Sequence, residues 1–255
     1  MAEAKATPTV EYHGTSAAND EVSRFAALAE DWWDEEGPFK PLHRLNPIRL
    51  TFIRDSLCGH FDRNAKSVKP IKGLKVLDIG CGGGLLCEPL SRLGATVTGI
   101  EAAAESIAIA KSHAREMGLN ITYRTGVPED LVTKGETFDA LINMEVIEHV
   151  ADVDGFLDAC CALVRPGGIM LLSTLNRTWQ SLALGKIAAE YILGWVPPGT
   201  HDWRHFVKPS EMARGLRRND MDMTALRGMS YAPLVGEWQL SNDIDINYLA
   251  MAVKS

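Results

Sequence analysis

Val76-Leu77-Asp78-Ile79-Gly80-Cys81-Gly82-Gly83-Gly84 is followed, one helix later, by Val97-Thr98-Gly99-Ile100-Glu101. A short apolar strand runs into a glycine cluster, the chain returns, and a second strand ends on a carboxylate. This is how an open α/β sheet grips a nucleoside. Glycines carry no Cβ and let the backbone approach a ligand closely, and a carboxylate at the next strand end accepts hydrogen bonds from ribose hydroxyls. The reading is an adenosine cofactor held by Gly80, Gly82 and Glu101.

A dinucleotide fingerprint needs a third glycine three residues after the second, so that pyrophosphate sits on a helix N-terminus. Counted from Gly80 and Gly82 that place is Leu85, and from Gly82 and Gly84 it is Cys87, so neither frame fits. Asp78 precedes the glycines, where it would face a diphosphate but can accept hydrogen bonds from an ammonium group. The pair favours S-adenosylmethionine over a nicotinamide cofactor. A nicotinamide-dependent oxidoreductase is the rival reading from another class.

Outside this stretch the chain repeats strand and helix. Strands are expected at 75–79, 96–100, 121–125, 138–143 and 168–174, with helices at 84–93, 104–117 and 153–164 and a looser one at 147–150. The alternation predicts a doubly wound, mostly parallel sheet of the Rossmann-like kind, with helices on both faces. Strand candidates at 222–228, 236–240 and 247–253, after a helix at 209–218, complete seven or eight strands; seven are expected, one antiparallel. Residues 1–18 lack periodicity and are expected to be a disordered tail. Residues 19–66 read as an N-terminal helical cap over the cofactor site, with Val22, Phe25, Leu28 and Ala29 on one face of a first helix capped by Asn19 or Asp20 and a second opening at Pro47. Residues 67–255 form the catalytic domain, carrying an insertion at about 176–200 for substrate or membrane contact.

With 255 residues, 26 Lys and Arg, 33 Asp and Glu and a net charge of −7, one α/β core with additions is expected, and a general nucleic-acid binder is disfavoured. Between 176 and 220 the balance reverses to seven cations against four acids. Five cysteines without a C-x-x-C pair read as a reduced cytoplasmic protein without zinc or disulfides. The first 25 residues show no secretory or mitochondrial character, and no run is apolar for long enough to span a bilayer.

In order along the chain, Asp78-Ile79-Gly80-Cys81-Gly82-Gly83-Gly84, Glu101, Phe138-Asp139, Glu145-Val146-Ile147-Glu148-His149-Val150 and Leu163-Val164-Arg165-Pro166-Gly167-Gly168 resemble the class I S-adenosylmethionine-dependent methyltransferases. Trp32-Trp33-Asp34, the run from Phe39 to Arg49, Ser173-Thr174-Leu175-Asn176-Arg177, Ala189 to Leu193 and Gly199-Thr200-His201-Asp202 resemble, more narrowly, the ubiquinone biosynthesis O-methyltransferase family. The likeness runs from about residue 20 to the end of the chain. It implies methyl transfer to ring hydroxyls of polyprenylated catechol-type intermediates. It also implies that Arg49 holds the methionine carboxylate, that Gly80 and Glu101 bind the cofactor, and that Met144 lies beside the sulfonium. Other enzymes of the biosynthesis are the implied protein partners, and the cytoplasmic face of a bacterial inner membrane the implied location. A small soluble phenol or a carbon acceptor is the alternative within the same fold. A non-catalytic cofactor-binding scaffold is a further one.

A phenol with a pKa near 10 is a poor nucleophile at neutral pH and needs a base or a cation. Glu145, Glu148 and His149 are spaced i, i+3, i+4, as on one helical face, at the carboxyl end of the fourth strand. Two carboxylates and an imidazole suit Mg²⁺ or a similar divalent ion that chelates the catechol oxygens. The alternatives are His149 as general base without metal, or neither role. In Trp179–Trp195, Leu184, Ile187, Ala188, Tyr191, Ile192 and Trp195 share a face that suits a peripheral membrane contact, core packing or a dimer contact.

Overall fold

The computed structural model describes residues 18–182, 203–232 and 236–255. The tail expected at 1–18 and the amphipathic face from Leu184 to Trp195 lie almost wholly outside the described residues.

Eight strands form one sheet in the order β3-β2-β1-β4-β5-β8-β6-β7. Strands β1 (Lys75–Ile79), β2 (Thr96–Glu101), β3 (Thr122–Thr125), β4 (Phe138–Met144) and β5 (Val164–Leu175) are mutually parallel. β8 (Asn247–Lys254) inserts antiparallel beside β5, then pairs with β6 (Met221–Ala232), which carries β7 (Glu237–Ser241) at the edge. The sheet has eight strands rather than seven, because all three C-terminal candidates form. The strand order reverses between β1 and β4, so the carboxyl ends of those strands open a crevice at the topological switch point.

The sheet core strands are apolar on both faces because helices cover both. α2 (Lys40–His60), α3 (Cys87–Arg92) and α4 (Ala104–Glu116) pack with Val76, Val97 and Ile142 on one side. α5 (Pro128–Val132), α6 (Val153–Leu163) and α7 (Pro209–Arg217) pack with Leu77, Leu141 and Met170 on the other. α6 starts where Asp152 caps it by accepting a hydrogen bond from the Gly155 N–H at 3.1 Å.

α1 (Asn19–Ala27) and a 3-10 turn, Ala29–Asp31, form the start of the cap; neither Asn19 nor Asp20 is its N-cap, which is Ala18. The second helix begins at Lys40, so Pro47 lies inside it rather than opening it. The helix survives the missing N–H because tertiary bonds hold that stretch: His43 Nε2 meets the Trp32 carbonyl at 3.0 Å, and Asn46 Nδ2 donates to the Leu85 carbonyl at 3.1 Å. The second half of α2 belongs to the main core through Phe52, Ile53 and Leu57. The helix expected at 84–93 is confined to Cys87–Arg92, and the 147–150 helix is a single 3-10 turn, Ile147–His149. Among the described residues no helix is long and apolar enough to cross a membrane.

Candidate active site at the switch point

β1 delivers Asp78 and the glycine loop, β2 delivers Glu101, and β4 delivers Asn143, Met144 and Glu145 to one end of the sheet. The Gly80 and Cys81 N–H groups donate to the Ile100 carbonyl at 2.8 and 3.1 Å, pinning the loop to β2. Glu101 Oε2 accepts from the Gly82 N–H at 3.2 Å and Oε1 from the Ala103 N–H at 3.0 Å. These bonds fix the carboxylate at the strand end, with lone pairs left for further donors.

The glycines owe their identity to the protein's own side chains as well as to any ligand. A Cβ on Gly82, whose φ is 51°, would stand 2.3 Å from the Trp32 ring, and one on Gly80 would stand 2.5 Å from Val146. Trp32 is buried, donates from Nε1 to Ser106 Oγ at 3.0 Å and stacks on Phe39 at 3.8 Å. Trp33 donates to the Gly83 carbonyl at 3.1 Å. The cap therefore sits directly on the glycine loop.

Asp78 is buried beneath that loop and accepts from Cys87 Sγ at 3.2 Å. Burial pushes its carboxyl up to about 7; the Cys87 hydrogen bond opposes this and the nearby Glu101 charge adds to it. Burial likewise raises Glu101, against the backbone N–H groups that favour its charged form. All five cysteines are buried and free, and burial raises the Cys81 and Cys87 thiols, so they are unreactive packing groups.

Arg49, on α2, is 3 % exposed, and its Nη2 stands 3.2 Å from Glu145 Oε1. That contact is an ion pair without hydrogen-bond alignment: Nε and Nη2 are both buried with no hydrogen-bond partner. Met144 is buried at the end of β4, beside Ser173 of β5.

The single helical face expected for Glu145, Glu148 and His149 does not form. Glu145 takes a left-handed φ of 57°, and only Ile147–His149 is helical, as one 3-10 turn. Glu145 Oε1 accepts from Ser173 Oγ at 2.6 Å, and Glu148 Oε2 accepts from Thr174 Oγ1 at 2.9 Å. Glu148 is buried and pushed up to about 8, first by desolvation and then by the adjacent Glu145 charge, with His149 opposing. The His149 ring stands edge-on to Phe25, centroids 5.8 Å apart. Among the described residues no three His, Cys, Asp or Glu side chains are gathered so as to hold a metal ion. The donor chemistry suits a divalent ion, yet the side chains as placed do not fit one as a set.

Sequence reasoning gave no site role to Asn143, nor to Ser173 and Thr174, which it read only as part of a family motif. Asn143 is buried with both amide atoms unpartnered, and a polar residue near the end of the otherwise apolar strand 138–144 was the signal for it. Beyond β5, a cavity of about 620 Å³ is lined by residues including Asn176, Trp179, Trp203, Lys208 and Ile244. Trp179 is 76 % exposed there and stacks on Trp203 at 5.8 Å.

Residues 49–226 match the family model described as a methyltransferase domain. The ubiquinone biosynthesis O-methyltransferase of Nitrobacter winogradskyi is 52 % identical over 94 % of this chain and 91 % of its own length. That of Rhizobium leguminosarum bv. trifolii is 48 % identical over 92 % and 93 %. Among solved structures, the magnesium protoporphyrin IX methyltransferase of Synechocystis PCC 6803 with bound SAH superposes with a TM-score of 0.65 at 20 % identity, covering 92 % of this chain and 99 % of that one. This last likeness concerns the fold.

Proposed function

The chain belongs to the ubiquinone biosynthesis O-methyltransferase family, and from that premise we propose how its residues methylate a ring hydroxyl of a polyprenylated catechol-type intermediate. S-adenosylmethionine, when bound, supplies a methyl carbon activated by a sulfonium. Arg49 holds the methionine carboxylate, Asp78 favours the ammonium end, and Glu101 accepts hydrogen bonds from the ribose. Gly80 and Gly82 offer backbone, and Met144 lines the place of the sulfonium. The observation that carries this reading is the buried Arg49 guanidinium with two nitrogens lacking a hydrogen-bond partner, at the same sheet end as the Asp78 and Glu101 carboxylates.

Displacement at an activated carbon asks the protein for alignment and for removal of one proton. His149 is assigned as the base that takes the phenolic proton. Glu145, held by Ser173 and paired with Arg49, and Glu148, held by Thr174, set the electrostatics of the turn on which that imidazole sits. Calorimetry with S-adenosylhomocysteine tests the cofactor assignment. Binding that weakens at least about tenfold in Arg49→Met, the scale of one lost charged hydrogen bond, supports it. Uptake of a nicotinamide nucleotide instead overturns it.

A divalent ion such as Mg²⁺ is a narrower proposal: Glu145, Glu148 and His149 are donors of a suitable kind, although as placed they are not gathered as a set among the described residues. Oxygen ligands of this kind suit Mg²⁺, which would lower the pKa of a chelated hydroxyl. Loss of activity in excess chelator, restored by Mg²⁺, supports the ion; full activity of folded protein in chelator removes it.

Peripheral membrane contact through about 179–195, and association with other enzymes of the biosynthesis, complete the proposal. Exposed Trp179 beside a cavity suits a lipid substrate drawn from an interface. Liposome flotation unaffected by Ile187→Asp with Ile192→Asp would contradict the membrane contact.

A further inference from the structure

The N-terminal cap reaches the reacting end of the sheet through aromatic rings, and this has a consequence for catalysis. Trp32 is fixed on three sides: by the backbone of Gly82 and Gly83 beneath it, by its hydrogen bond to Ser106, and by Phe39 stacked against it at an interplanar angle of 5°. Its neighbour Trp33 is fixed as firmly. Its ring stacks on His113 at 3.6 Å, and His113 Nδ1 meets Glu88 Oε1 at 2.6 Å, a carboxylate with no exposed surface. This end of the cap cannot shift without disturbing the cofactor loop.

Seven residues before Trp32, Phe25 stands on α1 with its ring stacked toward Trp32, centroids 6.5 Å apart. On its other side the Phe25 ring meets the His149 imidazole in a T-shaped contact at 5.8 Å and 87°. His149 itself is carried by a three-residue 3-10 turn that follows a left-handed residue. The turn is held by the His149 N–H bond to the Val146 carbonyl at 2.9 Å and by Glu148 Oε2 accepting from Thr174 Oγ1 at 2.9 Å, and the Phe25 ring bears on the imidazole from the side of the cap. Edge-to-face packing is a preferred aromatic geometry, and here it comes from a ring that lies against Trp32, the residue packed on Gly82 and Gly83.

We propose that Phe25 is a positioning residue for His149: through Trp32 it ties the orientation of the imidazole to the glycine loop that holds the cofactor. The inference rests on the assignment of His149 as the base. Phe25 touches neither reactant in this role; it narrows the directions in which the imidazole points.

Steady-state kinetics of the purified full chain test it, with a catechol bearing a short prenyl chain as acceptor. Phe25→Ala should lower kcat about tenfold, within the range that small misplacements of a reacting group produce, while the KM for S-adenosylmethionine stays within about twofold because no cofactor contact is removed. Phe25→Tyr, which keeps the ring, should restore most of kcat. In a His149→Ala background Phe25→Ala should cost nothing further, the signature of two residues acting through one another. Thermal melts show whether each variant folds, and if Phe25→Ala does not, Phe25→Leu keeps the bulk without the ring and serves in its place. Unchanged kcat in the folded Phe25 variants, or an equal loss with and without His149, overturns the positioning role. If His149→Ala alone leaves kcat intact, the base assignment fails and takes this inference with it. A damaging His149→Ala beside a silent Phe25→Ala sinks the inference alone.

Discussion

Arg49 Nη2 stands 3.2 Å from Glu145 Oε1, joining the long helix that precedes the sheet to the turn that ends its fourth strand. The cation is buried and the acid partly exposed, so the pair spans the boundary between protein interior and site. Arg49→Lys keeps the charge but loses the planar fork that suits a carboxylate. It should raise the S-adenosylmethionine KM about tenfold or more, with a smaller change in kcat. Equal KM values for Arg49→Lys and the parent would remove the carboxylate from the role of Arg49.

Gly82 and Trp32 share one volume. Gly82→Ala puts a methyl 2.3 Å from the indole and holds alanine at a φ of 51°. A loss of about 1–3 kcal/mol of stability is expected from overpacking and backbone strain. Trp32→Leu in the same chain should relieve the overpacking part, so that the double variant is less destabilised than the two single losses added together. Strict additivity in denaturant melts would contradict the contact.

Much of this was legible from residues alone. The strand-glycine-strand pattern around Asp78 and Glu101 announced the mostly parallel, doubly wound sheet and the order in which its central strands follow one another. What stayed hidden was tertiary. The reading of Glu145, Glu148 and His149 as one helical face assumed an α-helix, whereas the left-handed Glu145 breaks the period. Pro47 read as a helix start because local propensity cannot register the hydrogen bonds from His43 and Asn46 to distant carbonyls. The glycines read as ligand contacts, and only the fold reveals that Trp32 and Val146 occupy the space a Cβ would need. Phe25 read as a core residue of an amphipathic helix, with nothing local to link it to His149, 124 positions away by the numbering.

Asp78 gives a proton signature. Burial holds its folded pKa, about 7, above the ordinary carboxyl value, so the stability associated with it is whole below about pH 4 and is lost as pH rises through about 7. A cationic ligand end beside Asp78 favours the carboxylate. Binding of S-adenosylmethionine near pH 6.5 should therefore release protons (about pH 6–7 being where the group titrates). Calorimetry in buffers of different ionisation enthalpy measures this, and Asp78→Asn should abolish it. Proton uptake would contradict the placement.

Glu148 titrates in a different window. Its folded value, about 8, lies above the ordinary one because desolvation and then Glu145 disfavour its charge. Its contribution to stability is present below about pH 4.5 and lost as pH rises through about 8. Glu148→Gln keeps an acceptor for Thr174 without ionising. Its Tm should fall less than that of the parent between about pH 5 and pH 9. Parallel Tm profiles would show that Glu148 does not titrate in the fold.

The most direct test of the account is transfer itself. Purified chain incubated with methyl-labelled S-adenosylmethionine and a short-prenyl catechol should give a product one labelled methyl heavier, with the label on a ring oxygen by fragmentation mass spectrometry. Label on a ring carbon, or none at all from folded protein that binds the cofactor, would contradict the account.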